Sequence, residues 1–399
     1  MATQQEKQSL LGSAPIGKLM AKLALPSIVA QIINILYNIV DRIYIGHIGE
    51  EGSLALTGLG VCFPIITLIS AFSAFAGAGG APLAAIELGK SEYDSSAKEK
   101  AKEILGNVII MIIGFSLVLS VFFYFLREPI LLAFGASENT LPFAKNYLGI
   151  YLIGTFFVQI SIGLNPFISC QGFAKTAMAS VIIGAVVNIV LDPIFIFGFH
   201  LGVRGAAFAT VISQGISAIW IIRFLASKKS ALSLSVKIIK FNPKIIGKIA
   251  SLGISPFIMQ STESAIFVVF NSGLQKYGGD LYVGSMTIMQ SIMQMCFVPL
   301  SGFTDGVQPI LSYNYGAKKF DRVKTAIRKM LIISFSASIV MGVLVPLFPM
   351  QVAKIFTSNG DLLFLTCQVL PIYFGAVWIF GIQMAAQRTF VGLGKAKTS

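Results

Sequence analysis

Five carboxylates interrupt stretches of chain that are otherwise almost wholly apolar: Asp41, Glu87, Asp192, Glu263 and Asp305. In surroundings of low dielectric such a group needs a proton, a cation or a basic partner, and the chemistry it can do there is ion binding. Asp41 closes a helix-spaced polar series, Asn34, Tyr37, Asn38 and Asp41, in INILYNIVDRIYIGHIG, and Tyr37 shares its face one turn away. Asp192 lies in VVNIVLDPIFIFG, with Asn188 one turn before it and Pro193 directly after. Counted at ~1.5 Å per residue from the basic anchors Lys22 and Lys175, the two carboxylates stand roughly 28 and 25 Å along their helices. Similar depth within one half of the chain is what a shared ion site requires. Read alone, Asp41 also fits an exposed helix end paired with Arg42, and Asp192 a cap at the Pro193 kink.

Glu87 precedes GKSEYDSSAKEKAKE and reads as a solvated or ion-paired group at a helix end. Glu263, in MQSTESAIF with Gln260, Ser264 and Asn271 nearby, is the second-half acid best placed to meet a cationic substrate. Asp305, in LSGFTDGVQP, has no role that its neighbours suggest. MTIMQSIMQM sets Met286, Met289 and Met293 beside Gln290, a stripe that fits plain packing as well as a polarisable, promiscuous pocket. Cys62, Cys170, Cys296 and Cys367 form no CxxC and have no histidine pair beside them, so they read as core residues. HExxH and GxSxG are absent, and His47 and His200 fall at loops, which argues against an enzyme. No cofactor is implied beyond a coupling ion.

The elements that position these residues follow from composition. The 399 residues are 55% hydrophobic and only 12% charged, with mean hydropathy +0.81. A soluble enzyme, with about a quarter of its residues charged, is excluded. Apolar runs predict an all-α polytopic membrane protein with spans near 19–46, 54–82, 102–126, 140–164, 166–199, 204–226, 247–273, 281–310, 325–348 and 362–386, and the start of another helix from about 388. The polar N-terminus lacks the apolar core of a signal peptide, so the first span reads as permanent. With the N-terminus inside, 24 of the 30 Lys and Arg residues fall in inner connections. This predicts a cytoplasmic N-terminus, explains the +13 charge and removes nucleic acid as a partner.

The basic connection after the sixth span separates 1–225, an N-terminal lobe of six helices, from 247–399, with 226–246 as linker. The halves echo each other: LALPSIVAQ and LGISPFIMQ at an offset of 230, APLAAIELGK and QPILSYNYGA at 227, NYLGIY…QGFAK and QVLPIY…GLGKAK at 222. The echoes predict two parallel six-helix repeats forming two lobes, as in secondary transporters. At offset 222 the second half stops about two helices short, which predicts a truncated C-terminal lobe.

These motifs, LALPSIVAQIINILYNIVDRIYIGHIG, QGFAK, NIVLDPIFIFG…GVRGAAFATVISQ and QPILSYNYGAKKFDRV, closely resemble the multidrug and toxic compound extrusion (MATE) family, within it the DinF-related, MepA-like bacterial branch. The resemblance covers nearly the whole chain. It implies two six-helix lobes in a V in a bacterial plasma membrane, alternating access, and export of amphipathic cationic drugs, by a monomer, against inward H⁺ or Na⁺. It places the cation, Na⁺ included, at Asp41, Asn188, Asp192 and Thr210, with Pro26 and Tyr37 supporting. Glu263 corresponds to the span-seven glutamate of other branches, while span ten offers Gln383 and Gln387 where those branches carry an acid. A flippase for lipid-linked precursors is the rival within the superfamily. It would line its cavity with basic residues, whereas the charges within these spans are mainly acidic.

Overall fold

In a computed structural model the described residues are 10–49, 52–357, 359–396 and 398; for Ser53 and for residues 263–265, 267, 268, 271, 272, 275 and 280 only the backbone is described. The side chains of Glu263 and Asn271 therefore lie outside the description. The chain folds into α1 (Ile16–Gly46), α2 (Gly52–Lys90), α3 (Ala97–Ala133), α4 (Leu141–Ile153), α5 (Thr155–Ser169), α6 (Ala174–Pro193) and α7 (Val203–Ala226). A connection then leads to α8 (243–278), α9 (Leu281–Gly316), α10 (Phe320–Leu347), α11 (Gly360–Phe374) and α12 (Val377–Gly392). Gly279, at φ 67° and ψ −164°, breaks α8 from α9 in a region that only glycine enters freely.

Among the described residues seven helices are each long and apolar enough to cross a membrane, and the count reaches nine when the bent pairs α4–α5 (59°) and α11–α12 (49°) are each taken as one span. Among the described residues α8 is not one of these nine, in keeping with the polar run Gln260–Ser264 at its middle. Two boundaries differ from expectation. The turn after the fourth span lies at 170–173, because Gly172 (φ 86°) and the internal bonds of Gln171 close the helix there. The tenth span runs on through Arg388 to Gly392, because Arg388 is paired inside the bundle and does not start a new helix.

The repeat is visible in the backbone. The bend at Gly154 and the one at Gly375–Ala376 are 222 residues apart, as are the positive-φ residues Gly172 and Gly394. The halves meet along a seam built twice over. Gly89 lies against the Tyr313 carbonyl and Gly316 against that of Ile86, which exchanges the same two positions at an offset of 227. Gly79 packs on Ile249 and Gly253 of α8, and its counterpart Gly306 packs on Leu23 and Ala24 of α1. Backbones approach this closely only where no Cβ intervenes. A rotation axis along the helices relates the two halves.

One end of the bundle gathers the basic connections, and the seam closes there. Lys319 pairs with Glu92 at 2.7 Å, and Tyr313 donates to Glu92 at 3.0 Å. Asn314 and Arg322 donate to the Leu11 carbonyl, Arg322 also to that of Ala14. The linker is docked at the same end: Gln171 accepts from Ala231 N at 2.7 Å and Ser230 Oγ at 3.1 Å, and Asn107 from Asn242 N at 2.8 Å. Toward the other end α1 turns exposed residues such as Leu36, Asn38 and Ile39 outward.

Candidate ion and substrate site

Asp41 from α1 and Asn188 and Asp192 from α6 come together, although they are far apart in sequence. They are 8%, 1% and 0% exposed. Asn188 Nδ2 donates to Asp192 Oδ1 at 3.2 Å. That leaves Asp41 Oδ1, Asn188 Oδ1 and Asp192 Oδ2 buried with no hydrogen-bond partner. The two carboxylates stand within electrostatic reach of each other, and two buried acceptors sustain such proximity best with a proton or a cation beside them. Three unsatisfied oxygens in one pocket can hold one proton or one small hard cation.

Aromatic and amide groups surround this pocket. Tyr37 lies beside Asn38 and Gln214 and stands within electrostatic reach of both carboxylates. Tyr147 lies near Thr210 and within electrostatic reach of Asp41, and Tyr151 lies near Ser70. Thr210 thus stands at the site beside Tyr147. Asn34 is exposed and one turn further in along α1, where its carbonyl accepts from Asn38 Nδ2. Pro26 is buried in the inner half of α1. Arg42 sits over the Phe63 ring at 5.0 Å, so the alternative of Asp41 as an exposed helix end is not what the fold builds.

The residues expected to meet substrate are dispersed. Met286 and Met289 are buried in the second half's own core, lining an apolar cavity of about 220 Å³ with Phe270, Tyr282 and Tyr373. Met293 packs against that core, and Gln290 and Gln260 are half-buried. The methionine stripe is therefore packed away from the seam, on the face of α9 opposite Gly302 and Gly306. Glu87 pairs with Lys90 at 2.6 Å, as a helix-end group does. Unforeseen is Asp305, which Arg388 meets at 2.8 Å and to which Gln31 of the other half donates at 3.4 Å.

The model of the MatE family matches residues 26–194 and 256–399. The chain belongs to the MatE family. Among relatives, the multidrug export protein MepA of Staphylococcus haemolyticus (strain JCSC1435) is 27% identical over 368 residues, which span 92% of this chain and 79% of that one. MepA of Staphylococcus aureus (strain MSSA476) is 25% identical over 369 residues, with 92% and 80% covered. A crystal structure of MATE in the bent conformation superposes with a TM-score of 0.89 at 25% identity over 99% of this chain and 86% of that one. The outward-facing conformation of a multidrug resistance MATE transporter of the MOP superfamily gives 0.88 at 24%, with 98% and 85% covered. This MatE chain is thus a multi-pass membrane protein of a multidrug efflux family.

Proposed function

We propose that this MatE chain is a secondary exporter that moves amphipathic organic cations outward in exchange for inward H⁺ or Na⁺, its halves giving access alternately to the two sides. The observation that carries this reading is the cluster of three buried, unpartnered oxygens of Asp41, Asn188 and Asp192. With Thr210 beside them they form the ion site. A charge bound there neutralises the pair and changes how α1 packs on α6. The basic end is cytoplasmic, because Lys and Arg collect on the inner side of a membrane. The seam closed at that end makes this the state open to the outside. Ion arriving from outside releases the drug outward, and drug arriving from inside expels the ion. One elementary charge moved through 100 mV is worth about 2.3 kcal/mol. Exchange of one monovalent drug for one ion forgoes that electrical contribution and runs on the ion's chemical gradient.

The test is efflux of a fluorescent organic cation from inside-out vesicles under separate H⁺ and Na⁺ gradients, wild type beside Asp192→Asn. Transport driven by one ion and lost in the variant is expected. If no gradient moves any cation, the exporter reading falls and the lipid flippase takes its place.

A further inference from the structure

We propose that Asp305 receives the positive group of the transported organic cation, and that Arg388 is the counter-ion it gives up in exchange. This rests on the exporter reading and names the residue of the second half that the substrate meets. The first support is position. Asp305 lies on α9 between Gly302 and Gly306, which pack on Ile28 and Ala24 of α1. Gln31 of α1 bridges to its Oδ2 at 3.4 Å. The polar contacts named between the halves otherwise lie nearer the basic end. From this level outward α1 presents exposed residues, Asn34 and Asn38 among them. Asp305 therefore stands on the seam within a turn of the Gly302 contact, beside the level from which α1 turns exposed.

The second support is symmetry. The position of Asp305 corresponds at offset 227 to Ala78, that of Arg388 at 222 to Pro166, and that of Gln31 at 230 to Ser261. The second seam, made of the same backbone approaches, closes with no charge at any of these positions. An ion pair is not needed to join the halves, yet one half has it. Intramembrane charges that the packing does not require point to function.

The third support is chemistry. Arg388 Nη2 lies 2.8 Å from Asp305 Oδ1. The two side chains are 20% and 29% exposed. A partly exposed pair is a weak one, open to competition from an ammonium or a delocalised organic cation. The displaced guanidinium has somewhere to go. Arg388 is one helical turn from the end of α12 at Gly392, and its long stem can carry the charge to the aqueous end. Asp41 lies ten residues, about 15 Å, further along the helix that carries Gln31. Ion and substrate sites thus share α1.

The experiment measures binding of tetraphenylphosphonium to the full chain in lipid nanodiscs by titration calorimetry, with efflux from vesicles alongside. The variants are Asp305→Asn, Arg388→Gln, Arg388→Lys and the double Asp305→Asn/Arg388→Gln. Asp305→Asn is expected to weaken binding about tenfold, and Arg388→Gln, which removes the competitor, to tighten it several-fold. Arg388→Lys stays near wild type, and the uncharged double variant binds as weakly as Asp305→Asn while remaining folded. A pair that is merely structural makes both single variants lose binding together, and that result overturns the proposal, as does unchanged binding in both. Wild type that binds with the expected opposite signs but is moved by no gradient supports the assignment and overturns the exporter reading. Wild type that does not bind the probe overturns both.

Discussion

Two neighbouring carboxylates in an apolar bundle cannot both keep a bare charge, so on the proposed reading the Asp41–Asp192 pair is an ion site whose occupancy decides how the surrounding helices pack. Asp41→Asn should therefore separate two things that the wild type couples: ion-driven efflux falls at least about tenfold, while thermal stability holds or rises because a like-charge contact has gone. Vesicle efflux read beside a melting curve checks this, and efflux at the wild-type rate would remove Asp41 from the site. Tyr147→Phe deletes only a hydroxyl that stands near Thr210 and within electrostatic reach of Asp41. Loss of one polar group from the site is worth as much as a neutral hydrogen bond, ~0.5–1.5 kcal/mol, so the ion concentration at half-maximal transport should rise about threefold to tenfold with the maximal rate kept. Much of this was legible from residue spacing. Asn188 and Asp192 share a face at i, i+4, and so do Tyr37 and Asp41. Whether Asp41 faced lipid edge or partner helix was not legible, because α6 covers it from nearly 150 residues away. Tyr147 and Tyr151 carry the same one-turn signal in NYLGIY but read as repeat, and Gln214 has no local signal at all. Arg388 was hidden by its place near a helix end, where a basic residue ordinarily marks topology.

At the scale of elements, hydropathy marks where helices must exist and says little about where each one bends. The turn at 170–173 depends on a polar side chain, Gln171, whose amide is satisfied by Phe167 O, Ser230 Oγ and Ala231 N. No apolar periodicity reports that a glutamine in a turn holds a linker sixty residues on. The linker itself looked like a free basic connection, yet Ala231 and Leu232 are buried under this anchor. Gln171→Leu leaves the Ala231 N–H and the Ser230 hydroxyl without their acceptor. The loss of a buried partner costs about 1–3 kcal/mol. The purified variant should melt several degrees lower and expose the 227–242 connection to trypsin at its lysines, with ion-driven efflux retained in the fraction that stays folded. An unchanged melting point and protease pattern would mean that the linker is held elsewhere. The bends at Gly154 and Gly375 were equally silent in hydropathy, although the repeat offset relates them once one is known.

At the scale of the whole molecule, the seam repeats itself about an axis along the helices, and under the proposed alternating access this decides how it opens. Close backbone approaches at Gly79, Gly89, Gly306 and Gly316 hold the two halves by shape, and shape is symmetric. The polar clasp at the basic end is not: Glu92, Tyr313 and Lys319 form one connected group beside the Leu11 and Ala14 carbonyls held by Arg322. Breaking the clasp should loosen the closed basic end while the glycine contacts remain able to re-form, so the balance between states shifts and the fold persists. Glu92→Gln removes the charge that Lys319 meets, and Tyr313→Phe removes the second donor. A pair about one-third exposed contributes ~1 kcal/mol or less. With the hydrogen bond added, the closed state should lose roughly tenfold in population. A reporter is available in Ala24, which is buried where α1 meets Gly306. In an Ala24→Cys background, a membrane-impermeant maleimide applied from the basic end should label slowly in the parent chain and about ten times faster once Glu92→Gln and Tyr313→Phe are both present. Gly89→Val should give the same acceleration by a different route, because its side chain collides with the Tyr313 carbonyl and no rearrangement of a flexible group relieves it. If both routes leave labelling slow from that side and efflux untouched, the seam at the basic end is a permanent joint, and access would have to change by motion inside one half.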